Sequence, residues 1–172
     1  MLDRDANIGQ NPVMTTQLRH AEPKDAGTIY AFIVELARYE REPDAVKTTS
    51  DILEQQLASK NPPFECIIAE VDNTPCGFAL YFGNYSTWRG CAGIYLEDLF
   101  VKPEFRGRGI GRSLLQRLAS LTVARGGERL EWSVLNWNQP AIDFYTTLGA
   151  IPMDEWTTWR LTDSALAGLA GH

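Results

Sequence analysis

The sequence is poor in the side chains that hold metal ions and build disulfides. Its 172 residues include three cysteines, with no Cys-x-x-Cys pair, and only two histidines, His20 and His172. Zinc sites and Cys–His nucleophiles both need these residue types in recognisable spacings. We therefore expect no metal site and no cysteine nucleophile.

Long apolar runs are also absent from the sequence. No stretch approaches the roughly 18 apolar residues that cross a bilayer, and the first 13 residues carry acids and amides where a secretory signal needs an apolar segment. We therefore expect a cytoplasmic protein without membrane association. The length suits one domain with a substantial core, which we place at residues 13–172 behind a loose polar tail at residues 1–12.

Basic residues are scarce outside one stretch of the chain. The net charge is −6, and residues 102–129 hold seven bases against two acids, while the segments on both sides are acidic. A basic island in an acidic protein suits an anionic cofactor on the island and a cationic substrate elsewhere, although solvated helix charges would produce the same distribution. The acidity elsewhere argues against a nucleic-acid partner.

Apolar periodicity predicts strands and helices along the chain. Strands are predicted at residues 13–19, 64–71, 77–82, 94–101, 129–134 and 156–162. Helices are predicted between Pro23 and Pro43, at residues 50–59, from residue 110 to the Gly126-Gly127 pair, and at residues 139–148. Turn residues at 72–75 indicate a hairpin. The order of elements predicts an α/β fold with a central mixed sheet and helices on both faces.

A glycine-rich loop with three arginines follows the strand that ends at Val101. It reads Arg106-Gly107-Arg108-Gly109-Ile110-Gly111, with Arg112 behind it. The first N–H groups of a helix have no helical acceptor and bind anions, and glycine lets the backbone approach a phosphate closely. The Gly-Lys-Ser/Thr ending of a P-loop and the spacing of a dinucleotide fingerprint are both missing. The loop therefore predicts a site for another phosphate-bearing cofactor.

Two segments resemble the cofactor motifs of one enzyme family. The spacing Arg106-x-x-Gly109-x-Gly111, after the strand ending Leu99-Phe100-Val101, is similar to the acetyl-CoA pyrophosphate motif of GNAT N-acetyltransferases, and residues 138–150 resemble their second cofactor motif. From residue 18 to residue 162 the resemblance narrows to the diamine (spermidine/spermine) and thialysine acetyltransferases. The segments that carry it are Glu35 to Glu40, Tyr95 to Val101, Trp137-Asn138-x-Pro140, Phe144-Tyr145 and Trp159-Arg160.

The resemblance implies a GNAT fold with a mostly antiparallel sheet. It implies transfer of an acetyl group from acetyl-CoA to a small cationic amine, a polyamine or a thialysine-like or lysine-like molecule, by direct attack in a ternary complex. It also implies a homodimer. The residues implied in coenzyme A binding are Leu99, Phe100, Val101, Arg106, Gly107, Arg108, Gly109, Ile110, Gly111, Arg112, Asn138, Pro140, Ala141 and Tyr145. The backbone N–H of Leu99 would donate to the acetyl oxygen.

Acetyl transfer to an amine requires a proton acceptor, because an alkyl ammonium with a pKa of about 10.4 is neutral only about once in 2,500 at pH 7. The chain offers no suitable histidine, and Glu97 is the predicted acceptor, directly or through water. Asp98 is predicted to hold the ammonium ends of the substrate. In a regular strand Glu97 and Asp98 point to opposite faces of the sheet, whereas a bulge could turn both toward the site. Alternatively, one acid is exposed and the other forms an ion pair with an arginine and has only a structural role.

Four further assignments complete the predicted site. Tyr145 is the predicted acid that protonates the departing thiolate, from its position in the resemblance. Tyr39, Glu40 and Trp159 are predicted to line the substrate channel.

Two positions depart from the diamine acetyltransferase pattern. Thr157 replaces an expected acid, and Glu131 stands where the diamine enzymes have a histidine. These departures weaken the preference for spermidine over thialysine or another amine as the substrate, and they do not affect the prediction of the cofactor. The open alternatives are an acyl-CoA-binding sensor module with little catalysis and an acetyltransferase for peptide N-termini or aminoglycosides.

Overall fold

The computed structural model describes residues 16–171. The chain divides into two compact units, the first ending at Ser133 and the second beginning at Val134. The tail expected at residues 1–12 and the start of the first predicted strand lie outside the described residues. One domain over residues 13–172 stays a prediction.

A five-stranded sheet forms the centre of the first unit. Its strands, in the order β1-β2-β3-β4-β5, are β1 (Thr16–His20), β2 (Glu65–Val71), β3 (Thr74–Ser86), β4 (Cys91–Val101) and β5 (Leu130–Trp132). The first four strands pair antiparallel, and β4 pairs with β5 in parallel. The predicted mixed, mostly antiparallel sheet is confirmed.

Five α-helices occur among the described residues. The first unit contains α1 (Ala26–Tyr39), α2 (Ser50–Leu57) and α3 (Ile110–Ala124), and the second contains α4 (Gln139–Thr146) and α5 (Asp163–Ala170). Short 3-10 turns precede α1 and α3 and separate α1 from α2, and each begins with a proline, whose fixed φ suits the first position of a helical turn. None of the helices at residues 16–171 is long and apolar enough to cross a membrane.

The hairpin between β2 and β3 forms where the turn residues predicted it. Val71 pairs with Thr74, so the loop is the two-residue segment Asp72-Asn73. Both loop residues have positive φ, at 50° and 60°, which is the type I′ geometry that matches the twist of paired strands. Asp and Asn tolerate this region better than other non-glycine residues, so the local sequence determines the register of the hairpin.

Helices cover both faces of the sheet. On one face, Ile29 and Phe32 of α1 share a buried cluster with Phe78, Leu80 and Phe100 of β3 and β4. Residues that alternate with these along the strands are buried on the opposite face, together with the apolar side of α3: Ile67, Ala69, Ala79, Tyr81, Ile94, Leu96, Leu114 and Leu118. This arrangement confirms the predicted fold class.

The predicted strand at residues 156–162 does not form. A strand needs the hydrogen bonds of a neighbour, and the five-stranded sheet of the described residues contains no strand from this segment. Its apolar side chains are exposed, with Trp156 at 66% and Trp159 at 91%. The last strand of the sheet, β5, is also shorter than predicted, and α5 was not predicted.

Candidate active site

A β-bulge in β4 determines where its two adjacent acids lie. Leu80 pairs with Asp98 and Tyr81 pairs with Leu96, so Glu97 is the extra residue of β4. Bulges interrupt strand alternation and redirect side chains. Asp98 therefore shares the α1 face of the sheet with Leu80, while Leu96 lies on the α3 face. Glu97 is exposed and Asp98 is partly buried.

Three carboxylates gather beside this bulge, and we call Glu40, Glu97 and Asp98 the acid cluster. Glu40 caps the C-terminus of α1. Burial raises the pKa of Asp98 to about 7, and the negative charges of Glu97 and Glu40 add to the rise. Burial also raises the pKa of Glu40. The cluster therefore carries an acid that takes up and releases a proton near neutral pH, and it attracts cations.

The acid cluster is not arranged as a metal site. Among residues 16–171, no group of three or more His, Cys, Asp or Glu side chains could hold a metal ion. Because these carboxylates repel one another, a bound cation relieves the repulsion. An organic ammonium is such a cation, because it is held by charge and hydrogen bonds rather than by a fixed set of metal ligands.

Two aromatic rings lie beside the side chain of Arg106, which follows the end of β4. The guanidinium carbon of Arg106 lies 5.0 Å from the ring centre of Tyr39 and 5.7 Å from that of Phe100. Arg106 Nε donates a 2.8 Å hydrogen bond to the carbonyl oxygen of Val101. We call Tyr39 and Phe100 the aromatic wall. Arg106 thus connects the loop after β4 to the end of α1.

The glycine-rich loop has the backbone geometry of an anion site. Gly107 and Gly109 have φ values of 74° and 80°, and Gly109 caps the N-terminus of the 15-residue α3. A Cβ added at either glycine would meet no atom within 4 Å, so the space beside the loop is open. The N–H groups at the start of α3 have no helical acceptors. These features fit the pyrophosphate of coenzyme A.

The edge of β4 offers further backbone donors. Lys102 N donates to Cys76 O at 2.9 Å, and alternation then turns the N–H groups of Leu99 and Val101 away from β3. They point to the side of β5, which pairs with β4 only over Ile94 to Leu96. This orientation leaves the predicted acetyl and pantetheine contacts on the open part of the β4 edge.

The remaining predicted site residues lie in the second unit. Asn138 is 8% exposed, and its carbonyl oxygen accepts from the N–H groups of Ala141 and Ile142 at the start of α4, both at 3.1 Å. Pro140 occupies the first turn of α4. Tyr145 lies on the same helix, with its ring 5.4 Å from that of Phe144. Trp159 is 91% exposed and lies outside any helix or strand.

Glu131, the residue that replaces an expected histidine, is held by neighbours in the sheet. Its carboxylate accepts a 2.7 Å hydrogen bond from Asn84 Nδ2 and lies 2.8 Å from Arg129 Nε. Glu131, which replaces the histidine of the diamine acetyltransferases, thus forms an ion pair with Arg129 within the first unit. The hydrogen bond from Asn84 to Glu131 and the contact of Arg106 with Tyr39 could not be predicted from the sequence, because each joins residues that are far apart in the chain.

Comparison with known proteins identifies the family. A sequence model of the acetyltransferase (GNAT) family matches residues 29–150. The thialysine N-epsilon-acetyltransferase of Sus scrofa is 39% identical over 165 residues, which cover 90% of this chain and 96% of that protein. The spermidine/spermine N(1)-acetyltransferase-like protein 1 of Homo sapiens is 36% identical over 152 residues, which cover 84% of this chain and 22% of that protein.

A solved structure gives the same result for the fold. An integron cassette protein from the mobile metagenome of V. cholerae superposes with a TM-score of 0.78 at 26% identity, covering 92% of this chain and 99% of that one. The family match contains the acid cluster, the glycine-rich loop and α4. The chain therefore belongs to the GNAT acetyltransferase family and is an acetyl-CoA-dependent N-acetyltransferase.

Proposed function

We propose that the enzyme acetylates a primary amine of a small cationic molecule, a polyamine or a thialysine-like amino acid, by direct attack in a ternary complex. The acid cluster carries this proposal, because three carboxylates with a proton exchanging near pH 7 suit an ammonium substrate. The names of the relatives from Sus scrofa and Homo sapiens support the same class of amine.

We assign cofactor binding to the glycine-rich loop and the β4 edge of the first unit. Coenzyme A contacts at Asn138, Pro140 and Ala141 are proposed from the sequence motif alone. The loop N–H groups and the arginines at positions 108 and 112 would hold the pyrophosphate, and the N–H of Val101 would bind the pantetheine arm. Acetyl-CoA, when bound, supplies a thioester whose carbonyl carbon accepts the amine. The N–H of Leu99 would donate to the carbonyl oxygen as negative charge builds on it, a contribution of about 3 kcal/mol where such donors have been removed.

The acid cluster would accept the proton of the incoming ammonium. Recovering the neutral amine at pH 7 is worth about 4.6 kcal/mol of barrier. Glu97, the acceptor predicted from the sequence, is exposed and can act directly or through water. Asp98 has a pKa of about 7, which lies close to the operating pH, where a general base is most effective. The pH profiles of variants at the two positions distinguish these assignments.

Tyr145 would protonate the departing thiolate. A phenol has a pKa of about 10 and a thiol about 8.5, so the transfer is uphill by only about 2 kcal/mol. The assignment rests on the position of Tyr145 in the family motif on α4. Tyr39, Glu40 and Trp159 are proposed to line the amine channel, where aromatic faces and a carboxylate attract ammonium groups.

Coenzyme A release across a panel of amines tests the proposed function. The panel contains spermidine, spermine, thialysine, lysine, an aminoglycoside and a short peptide with a free N-terminus. We expect kcat/KM for a polyamine or thialysine to exceed that for the peptide and the aminoglycoside by about tenfold or more. The reason is that a small cation can bring its ammonium groups close to the three carboxylates of the acid cluster. Absence of release with every amine would support an acyl-CoA-binding module instead.

We also propose that the enzyme is a homodimer. Large apolar side chains of the second unit are exposed, including Ile151 at 81%, Met153 at 63% and Leu169 at 76%. Exposed apolar surface of this kind marks protein–protein contacts. Light scattering of the purified chain should give twice its mass of 19.3 kDa, and a monomer at micromolar concentration would contradict the proposal.

A further inference from the structure

The side chain of Arg106 lies in an unexpected direction for a residue of the phosphate loop. We propose that Arg106 is a positioning residue for the amine side of the site, where it holds Tyr39 against the end of β4, rather than a ligand of the cofactor pyrophosphate. The inference rests on the proposed acetylation of a cationic amine. It changes the role that the sequence motif implies for this residue.

The contacts of Arg106 point away from the loop that carries it. The guanidinium lies over the rings of Tyr39 and Phe100, at 5.0 and 5.7 Å. The Nε donor is used by the carbonyl of Val101, at 2.8 Å. A planar guanidinium that stacks on two rings and donates in its own plane has a fixed orientation.

The next arginine of the loop behaves differently. Arg108 Nη2 donates to the carbonyl of Glu104 at 3.0 Å, and its guanidinium lies 5.3 Å from the ring centre of Phe105. Both partners belong to the segment between β4 and α3, so Arg108 stays with the loop. Arg106 instead contacts Tyr39, the last residue of α1. The two arginines therefore have separable roles despite their adjacent places in one motif.

The position of Tyr39 connects this contact to the amine. Tyr39 is the last residue of α1, and Glu40 of the acid cluster follows it directly. Tyr39 is 36% exposed, so one part of its ring is available to substrate while another part contacts Arg106. Fixing the ring also fixes the backbone that carries Glu40. Loss of the stacking should therefore weaken amine binding first.

Arg106 also connects the two substrates of the reaction. Its backbone begins the phosphate loop, and its Nε holds the peptide after Val101 on the β4 edge that we assign to pantetheine. A ligand that orders the loop should therefore order Tyr39 as well. Because such coupling is reciprocal, bound coenzyme A should raise the affinity for the amine, and the amine should raise the affinity for coenzyme A equally.

Calorimetry on the full chain tests this role without relying on turnover. Spermidine and thialysine are titrated with and without coenzyme A, and acetyl-CoA is titrated alone. Arg106→Lys keeps the charge but loses the planar stacking and the Nε donor. We expect amine affinity to fall about tenfold, the enhancement by coenzyme A to disappear, and acetyl-CoA affinity to change less than about twofold. Arg117→Lys, an exposed position on α3, is the matched control and should leave all three unchanged.

A double-mutant cycle identifies the partner of Arg106. Tyr39→Leu should lower amine affinity at least as much as Arg106→Lys, and the variant with both changes should be no worse than Tyr39→Leu alone, because Arg106 acts through Tyr39. Steady-state kinetics should show KM for the amine raised more than kcat is lowered, and thermal unfolding of Arg106→Lys confirms that the variant is folded.

Two outcomes would overturn the inference. One is a loss of acetyl-CoA affinity in Arg106→Lys as large as the loss of amine affinity, which would make Arg106 a phosphate ligand. The other is additive losses in the double variant. Failure of the wild-type chain to bind either amine overturns this inference together with the proposed function, whereas amine binding without acetyl transfer overturns the proposed function alone.

Discussion

Asp98→Asn should lower kcat/KM for the amine about a hundredfold at pH 7.5, because removal of one partner from a desolvated charge pair costs about 2–5 kcal/mol. The amide keeps the size of the side chain but can neither accept the ammonium proton nor attract its charge. Acetyl-CoA affinity should change little, since Asp98 lies on the α1 face of β4 with Leu80. Coenzyme A release and calorimetry measure the two quantities, and a variant with unchanged kcat/KM would remove Asp98 from the site.

The pH profile identifies the acid that titrates. The pKa of Asp98 is about 7, so kcat/KM for the protonated amine should rise as the pH increases through 7 and then level off. Asp98→Asn should lose this rise, while Glu97→Gln should keep it at a lower overall rate and move it to lower pH, because the charge of Glu97 raises the pKa of Asp98. Persistence of the rise in Asp98→Asn together with its loss in Glu97→Gln would assign the proton to Glu97.

The same substitution should stabilise the fold at alkaline pH. The pKa of Asp98 is higher in the folded chain, at about 7, than its ordinary value of 3.8, so the unfolded chain releases this proton first. The free energy of unfolding therefore falls as pH rises from about 4 to about 7, and the loss is complete above 7. Asn at this position avoids the loss, and the variant should be more stable at pH 8 by about 1 kcal/mol or more.

Thermal unfolding across pH measures this effect. The melting temperature of Asp98→Asn should exceed that of the wild type at pH 8, and the difference should vanish below about pH 3, where Asp98 is protonated in both states. An equal difference at both pH values would indicate a change in packing rather than the loss of a buried charge. A substitution that removes one of several like charges from an active site commonly stabilises the fold and lowers the activity.

Tyr145→Phe should lower kcat more than about tenfold while acetyl-CoA affinity stays nearly intact, since general acid catalysis contributes roughly a hundredfold or more. The substitution removes one hydroxyl and keeps the ring on α4 beside Phe144. Tyr85→Phe provides the control, because Tyr85 is 62% exposed in the β3–β4 hairpin. Its activity should equal that of the wild type.

The size of the decrease in kcat in Tyr145→Phe depends on which step limits turnover. Single-turnover measurements on Tyr145→Phe isolate the chemical step, and they should show a slowing at least as large as that of kcat. Unchanged turnover in both measurements would contradict the assignment of Tyr145 as the acid.

Turns and helix starts could be predicted from the sequence, because neighbouring residues determine them. The positive φ of Gly107 and Gly109 and the start of α3 follow from a glycine-rich loop before an amphipathic helix. The hairpin at Asp72-Asn73 follows from its turn residues. The glycine-rich loop and the helix that follows it could therefore be predicted from the sequence, while the assignment of this loop to the cofactor stays a prediction.

Features that depend on pairing between distant segments could not be predicted. The bulge at Glu97 arises from the register between β3 and β4, and no local pattern distinguishes it from regular alternation. Arg106 and Tyr39 meet only because α1 ends beside the loop. The predicted strand at residues 156–162 had suitable apolar residues but gained no neighbour in the sheet, and a strand without a partner does not form.

The acid cluster should select a cationic amine for acetyl transfer, and kcat/KM for diaminopropane against propylamine measures this selection. Both molecules offer one amine to the acetyl group, but only the diamine keeps a second ammonium for the cluster. We predict coenzyme A release with the diamine at a kcat/KM at least about thirtyfold higher, as expected for a charge pair worth about 2 kcal/mol. In Asp98→Asn the ratio should fall to about two, the statistical factor for two equivalent amines. A ratio of about two or less in the wild type, or release with neither amine, would show that the acid cluster does not select the substrate.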